Sequence, residues 1–160
     1  MKLYYIKDNY IDYLRTYDKK VLMNKTGRPY LGVVMEIKDL NYFVPLSSKN
    51  SKKLPNEAII KLLQYDKGQV SNRLGVLLFN NMIPVNKDSI SPLNIENIKD
   101  IKYKNLLISQ MIIIRKEENR IKAKAKKVYT NFLKNKRLSG VCCDFLLLEK
   151  KSDEYYKSKN

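Results

Sequence analysis

The fold is decided by residues 30–46, which read YLGVVMEIKDLNYFVPL. Two runs rich in β-branched, aromatic and aliphatic residues, Tyr30 to Ile37 and Tyr42 to Leu46, flank a turn-forming segment at 38–41. Residues of these types are enriched in strands, and hairpins commonly use connections of this length. The stretch therefore predicts two antiparallel strands, to which the rest of the chain is added.

The chain on the N-terminal side of this hairpin predicts one more strand and a helix. Lys2 to Ile6 is typical of a short strand, and Asp8 is placed to cap the helix that follows. The apolar residues of that helix recur at helical spacing and comprise Tyr10, Ile11 and Leu14. We expect this face to lie on the core.

The chain after the hairpin predicts a loop, a short helix and a second hairpin. Ser47 to Pro55 is polar and basic, which indicates an exposed loop before a helix from about Asn56 to Tyr65. Leu74 to Phe79 and Met82 to Val85 surround an Asn-Asn pair and predict two more paired strands. An antiparallel sheet follows from these segments.

The second half of the chain predicts helices. From Asn105 to Lys134 there is neither Gly nor Pro, which favours one or two long helices. An apolar stripe at spacings of four, three and four comprises Ile121, Ala125, Val128 and Phe132. Asp144 to Tyr156 predicts a last helix, with a strand through Phe145 to Leu148 as the alternative. Together the segments predict a single α+β domain over residues 1–160, with helices flanking an antiparallel sheet.

The charge of the chain favours a polyanionic partner. Thirty-two Lys and Arg residues against 16 Asp and Glu leave a formal charge of +16 and a sequence pI of about 9.7. Ten Lys and Arg but only two Glu fall between Arg115 and Arg137, so a long basic helical segment of net charge +8 is predicted to lie along a phosphate backbone. The alternative is a solvated basic surface that has no partner.

Neither a membrane segment nor a secretion signal is predicted. The most apolar run, Leu106 to Ile114, contains Ser109 and Gln110 and is shorter than the roughly 20 residues that a membrane span requires. The N-terminal residues lack the apolar core of a signal peptide. We therefore expect a cytoplasmic protein that does not bind membranes.

The residue types that commonly hold metals are scarce. The chain has no histidine, and its cysteines are the adjacent pair Cys142 and Cys143, which predict neither a disulfide framework nor a four-ligand zinc site. A magnesium site made of carboxylates is harder to exclude, but no Asp/Glu pair follows an apolar strand as in two-metal nucleases. We expect no metal and no other cofactor.

Two loops carry the candidate chemistry. They read KTGRPYLG at 25–32, which enters the first hairpin strand, and PLSSKNSKK at 45–53, which leaves the second. Because both lie at the same end of the hairpin, Arg28 and the pair Ser47 and Ser48 are expected to converge around one phosphate. Arginine offers a planar fork of donors that matches phosphate oxygens, and hydroxyl groups complete such an anion site.

Four motifs follow one another along roughly the whole chain: YIDYL at 10–14, RPYLGVV at 28–34, YFVPLSS at 42–48 and CCDF at 142–145. In this order they resemble the motifs of the ToxN/AbiQ endoribonucleases of type III toxin–antitoxin systems. The resemblance implies a twisted antiparallel sheet or partly open barrel related to the Kid and MazF toxins.

The resemblance also implies a function. A protein of this family is a sequence-selective endoribonuclease that cuts a repeat-derived antitoxin RNA into pseudoknots and is inhibited by them in a closed toxin–RNA hetero-oligomer. Its other substrates are cellular or phage RNA, and its role is phage defence by abortive infection.

The absence of histidine favours a metal-independent attack of the RNA 2′-hydroxyl, which leaves a 2′,3′-cyclic phosphate and a 5′-hydroxyl. Arg28 and a lysine of the following loop are expected to stabilise the phosphoryl charge, while Ser47 and Ser48 orient groups or pass protons. A lysine with a lowered pKa or a tyrosine is the alternative for the proton transfer. The family's Ser-Ser-Pro-Lys continuation is not kept, so the lysine candidates are Lys49, Lys52 and Lys53.

Further residues are expected to bind RNA outside the reacting phosphate. The tyrosines predicted to stack on unpaired bases are Tyr10, Tyr13, Tyr17 and Tyr30, of which Tyr30, beside Arg28, is preferred. The predicted contacts to the phosphate backbone are Lys25, Arg115, Lys122, Lys126 and Lys134.

Two other functional classes fit the composition. A non-catalytic RNA- or DNA-binding protein explains the charge equally well, but it gives no reason for a Ser-Ser-Lys loop facing an Arg-Pro-Tyr loop. A basic structural subunit of a larger ribonucleoprotein is the other alternative.

Overall fold

The computed structural model describes residues 1–25, 27–48, 54–134, 138 and 140–160. The strands in this part are β1 Lys2–Ile6, β2 Tyr30–Ile37, β3 Leu40–Ser47, β4 Ile59–Asp66, β5 Gln69–Leu78, β6 Ile83–Val85 and β7 Ile90–Pro92. The α-helices are α1 Asp8–Tyr17, α2 Ile101–Lys116, α3 Glu118–Lys134 and α4 Phe145–Lys157. Short 3-10 turns lie between several strands, the first at Asn56–Ala58.

The strands form one antiparallel sheet that does not close. Its order is β4-β5-β3-β2-β1-β7, and β6 pairs with β3 beside this path. The helices flank the sheet, so the predicted α+β class with a partly open sheet core is confirmed.

The central hairpin is confirmed, with a tighter turn than expected. β2 and β3 pair from Tyr30 opposite Pro45 to Ile37 opposite Leu40, so that only Lys38 and Asp39 connect them. Both turn residues have positive φ, 47° and 66°. Turns of this kind match the right-handed twist of the paired strands.

The predicted helix from Asn56 to Tyr65 is wrong. Only the 3-10 turn at Asn56–Ala58 is helical, and the following residues form β4, which pairs with β5 along its length. The run IIKLL fits either a short helix or a strand by pattern alone, and here the pairing with a neighbouring strand decides.

The predicted second hairpin is also wrong. β5 turns back on β4 through Lys67 and Gly68, while β6 pairs with β3 and not with β5. The pair Asn80 and Asn81 is a buried anchor: the Asn81 amide donates to Lys20 O at 2.8 Å. The expected turn residues therefore hold distant segments together.

The helices follow the predictions closely. The stripe residues Ile121, Ala125 and Val128 are buried, and Phe132 packs on Phe145 with ring centroids 4.8 Å apart. The last segment is the helix α4, with Asp144 accepting a bond from the Leu147 amide, so the strand alternative is wrong.

The start of α1 differs from the prediction. Asp8 does not cap α1; it lies in the first turn, where its carboxylate accepts a bond from the Asn24 side-chain amide at 2.7 Å.

Cys142 and Cys143 are free and buried, and burial raises the pKa of the Cys142 thiol to about 11. No helix in the described ranges combines the length and the apolar character needed to cross a bilayer.

Candidate functional site

The two candidate loops meet in one cleft. The amide of Leu46 donates to Pro29 O at 3.0 Å, which extends the hairpin pairing beyond Tyr30 and places Arg28 beside the end of β3. The cleft has a volume of about 290 Å³, and its walls include Lys25, Arg28, Ser47 and Ser48. The structure thus brings Arg28 and both serines together, as the shared end of the hairpin predicts.

Arg28 is held by a tight loop. The amides of Gly27 and Arg28 both donate to Asn24 O, at 3.1 and 3.0 Å, and Gly27 has a φ of +91° that favours glycine. Asn24 is fixed in turn by its side-chain bond to Ile6 O at 2.6 Å. Within the described residues the guanidinium makes one weak bond, from Nε to Met23 O at 3.3 Å, and no ion pair with a carboxylate.

The two serines differ in their surroundings. Ser47 ends β3, is half-buried and lies opposite Val76 of β5, whereas Ser48 is exposed on the rim. The lysine candidates Lys49, Lys52 and Lys53 lie outside the described residues. The described cations of the cleft are therefore Lys25 and Arg28.

The helix α2 forms the opposite wall, which the sequence did not predict. Tyr103, Leu106, Leu107 and Gln110 all line the cleft from this helix. Gln110 is 2% exposed, and its Nε2 donates to Leu74 O at 2.7 Å, while its Oε1 is buried and finds no hydrogen-bond partner in the described part of the chain. The available signal was a glutamine within the apolar run 106–114, because a buried amide there must find polar partners.

Gly75 of β5 allows Ser47, at the end of β3, and Gln110 of α2 to lie close to the β5 backbone. A Cβ at this position would lie 2.6 Å from Ser47 O and 2.9 Å from Gln110 Nε2, closer than side chains tolerate. Its φ of +144° also favours glycine. The contact fixes the backbone of Ser47 against α2.

The structure contradicts base stacking by Tyr10 and Tyr30. Both are 0% exposed, so neither ring has a free face. The Tyr10 hydroxyl donates to Pro84 O at 2.6 Å, and burial raises the pKa of Tyr30 well above its ordinary value. Tyrosine packs well in a core because most of its surface is apolar, and both residues serve the core here.

The predicted cations of the second half do not share one surface. Arg115 belongs to α2, which ends at Lys116 before α3 begins at Glu118, and it lines a separate cavity of about 580 Å³. On α3, Lys122 pairs with Glu118 at 2.9 Å and lies with Lys126 on one flank of the buried stripe. Helical spacing places Lys134 on the opposite flank.

That opposite flank also carries Arg120, Lys124 and Lys127, at helical spacing. The Lys124 ammonium donates to Asn56 O at 3.1 Å. Burial, together with the positive charges of Arg120 and Lys127, lowers the pKa of Lys124. An anion placed here would offset this mutual repulsion.

Carboxylates and thiols are not gathered into metal-binding groups in the described part of the chain. No three of its Cys, Asp and Glu side chains lie close enough together to hold an ion. The expectation of metal-free chemistry remains a prediction.

The chain resembles one family of toxins along nearly its whole length. A family model described as "Toxin ToxN, type III toxin-antitoxin system" matches residues 2–153. The endoribonuclease ToxN of Bacillus thuringiensis subsp. kurstaki is 40% identical over 166 residues, which covers 96% of this chain and 84% of that protein. A solved structure that concerns selective toxin inhibition by a non-coding RNA pseudoknot in type III systems has a TM-score of 0.88 at 40% identity, over 97% of each chain. The structure of AbiQ, a lactococcal anti-phage endoribonuclease, has a TM-score of 0.86 at 31% identity, over 98% of each chain.

Proposed function

This chain belongs to the ToxN toxins of type III toxin–antitoxin systems, and we propose that it is an endoribonuclease inhibited by an antitoxin RNA. The observation that carries the proposal is the cleft in which Arg28, without a carboxylate partner among the described residues, lies with Ser47 and Ser48. A cation and hydroxyl groups at one cleft suit a phosphodiester. Such a cleft can also hold a phosphate without cleaving it, and what favours a nuclease over a protein that only binds RNA is that the relatives are endoribonucleases.

The proposed reaction is an internal transesterification. The RNA 2′-oxygen attacks the adjacent phosphorus, the bond from phosphorus to the 5′-oxygen breaks, and the products carry a 2′,3′-cyclic phosphate and a 5′-hydroxyl. Arg28 and Lys25 offset the extra negative charge on the phosphoryl oxygens as it develops. A lysine among Lys49, Lys52 and Lys53 is proposed as a further cation.

Two protons must move in this reaction, one off the 2′-hydroxyl and one onto the leaving 5′-oxygen. Hydroxyl groups donate and accept at once, so Ser47 and Ser48 can pass protons between these oxygens. Serine is too weak a base to remove a proton unaided, and it is proposed to act as a relay and not as a nucleophile.

The partner and the role are proposed from the relatives. One similar structure concerns inhibition of a type III toxin by an RNA pseudoknot, and AbiQ is an anti-phage endoribonuclease of a type III system. A further structure, 28% identical with a TM-score of 0.82 over 96% of this chain, concerns a processed non-coding RNA that regulates a bacterial antiviral system. We propose that this chain processes and binds a pseudoknot antitoxin in a closed toxin–RNA assembly. It would act in the cytoplasm on cellular or phage RNA, with α3 and Lys25 among its backbone contacts.

Cleavage is expected to continue unchanged in an excess of metal chelator, because the proposed charge stabilisation comes from Arg28 and lysines. The measurement is the initial rate of cutting of an end-labelled RNA by the purified protein, with and without chelator. A magnesium-dependent nuclease in the same buffer is the control and must stop. Loss of cleavage in chelator with recovery on adding magnesium would show that the mechanism is wrong.

A further inference from the structure

Resting on the proposed nuclease function, we propose that Gln110 is a specificity residue that accepts a hydrogen bond from the exocyclic amino group of a base next to the cleaved phosphate. Its side chain lines the cleft that contains Arg28 and Ser47, yet it is 2% exposed. The Oε1 atom is buried and has no hydrogen-bond partner among the residues that the structure describes. A buried acceptor left unpaired is unfavourable, so a ligand that supplies a donor is bound preferentially.

The orientation of the Gln110 amide is fixed by its other end. Nε2 donates to Leu74 O at 2.7 Å, and exchanging the two amide atoms would set two acceptors against each other. Nε2 also lies 2.9 Å from the position that a Cβ of Gly75 would take, so the amide sits close against the backbone of β5. Oε1 is therefore an acceptor held in a fixed place.

The cleft is divided into two chemical halves. Lys25, Arg28 and the serine hydroxyls form the half that suits a phosphate, whereas the α2 wall presents Tyr103, Leu106 and Leu107 together with Gln110. Mostly apolar and aromatic walls with a few fixed polar groups are typical of sites that bind a small ligand and fix its orientation. RNA-binding proteins select splayed-out bases through hydrogen bonds to their edges. The α2 wall therefore selects a base, and the acceptor at Gln110 selects its amino group.

The first test uses the unaltered protein and a random RNA pool whose cut ends are sequenced. The expected result is a preference for an amino-bearing base at one nucleotide next to the cut. Replacing that base by an analogue that lacks the amino group should slow cutting by about tenfold or more, the size of one net hydrogen bond. The same analogue placed several nucleotides away should have no effect. Cutting that tolerates the loss of the amino group would overturn the proposal.

The second test uses the variant Gln110→Leu, with Ser109→Ala as a matched control because Ser109 lies on the same helix and lines a different cavity. Gln110→Leu should lose the preference at that one nucleotide and keep the preferences elsewhere, and Ser109→Ala should cut like the unaltered protein. An unchanged sequence preference in Gln110→Leu, at any overall rate, would overturn the proposal.

The same experiments distinguish a variant that fails to fold, a failure of the nuclease proposal and a failure of the proposed role of Gln110. If Gln110→Leu does not fold, the base-analogue measurement on the unaltered protein decides alone. If the unaltered protein cuts no RNA, the nuclease proposal itself fails; if it cuts without any base preference next to the cut, only the role of Gln110 fails.

Discussion

Replacing Arg28 with alanine is expected to slow RNA cleavage by about 10²–10³-fold, the usual cost of removing one donor that stabilises charge in a transition state. Arg28 lines the cleft beside Ser47 and Ser48 and has no carboxylate partner among the described residues, so its charge is available to a phosphate. The folded state should be little affected, since the one described hydrogen bond of the Arg28 side chain, to Met23 O, is 3.3 Å long. Single-turnover rates and thermal unfolding of the purified variant measure the two effects.

Two matched variants show whether the slower cleavage results from the position of Arg28 in the cleft. Arg28→Lys keeps the charge but loses the planar fork, so its rate should fall between those of the unaltered protein and Arg28→Ala. Arg73→Ala removes an exposed arginine of β5 that does not line the cleft, and it should cut normally. If Arg28→Ala retained the full rate, or if Arg73→Ala lost as much, Arg28 would have no special role.

Antitoxin binding is expected to weaken by about 10³–10⁵-fold between 50 mM and 200 mM salt, the range for a protein that neutralises six to ten phosphates. The chain carries a formal charge of +16, and α3 displays cations on both flanks of its buried stripe. Each phosphate that is neutralised releases condensed counterions, so the affinity falls as salt is added. The measurement is the dissociation constant of a labelled antitoxin RNA at several salt concentrations.

Two triple variants that lose the same charge show which flank of α3 binds the antitoxin RNA. Glutamine at Arg120, Lys124 and Lys127 removes the positive charges of the flank on which they repel one another. The negative slope of log affinity against log salt should then become shallower, by about 0.9 for each phosphate that is no longer neutralised. Glutamine at Lys122, Lys126 and Lys134 is the comparison. Each set contains one cation that is already paired with a glutamate, Arg120 with Glu117 at 2.7 Å and Lys122 with Glu118 at 2.9 Å, so unequal slopes show which flank the RNA contacts. Equal slopes in all three proteins would place the RNA on the sheet and its loops instead of on α3.

The sequence predicted those parts of the site that depend on neighbouring residues. The hairpin of β2 and β3 is a local structure with a short turn, and antiparallel pairing necessarily brings the start of one strand to the end of the other. Arg28 and Ser47 therefore meet for a reason that is visible in the sequence. The stripe on α3 was likewise visible, because helical periodicity identifies a buried face.

The contacts between distant segments could not be predicted in the same way. Gln110 is far from Ser47 in the chain, and only the packing of α2 against β5 at Gly75 brings them together. Tyr10 and Tyr30 are equally suited to a core or to a base by their chemistry, and their burial depends on the whole sheet. The pairing of β4 with β5 also decided between a strand and a helix where the local pattern fitted both.

The most direct test of the central claim is cleavage of an RNA in which one nucleotide, on the 5′ side of a mapped cut, carries a 2′-deoxy sugar. The 2′-oxygen is the proposed nucleophile, so cutting should stop at that bond and continue at unmodified sites in the same molecule. The remaining products should end in 2′,3′-cyclic phosphate and 5′-hydroxyl groups. Continued cutting at the modified bond, or products that end in a 3′-hydroxyl, would contradict the proposed mechanism.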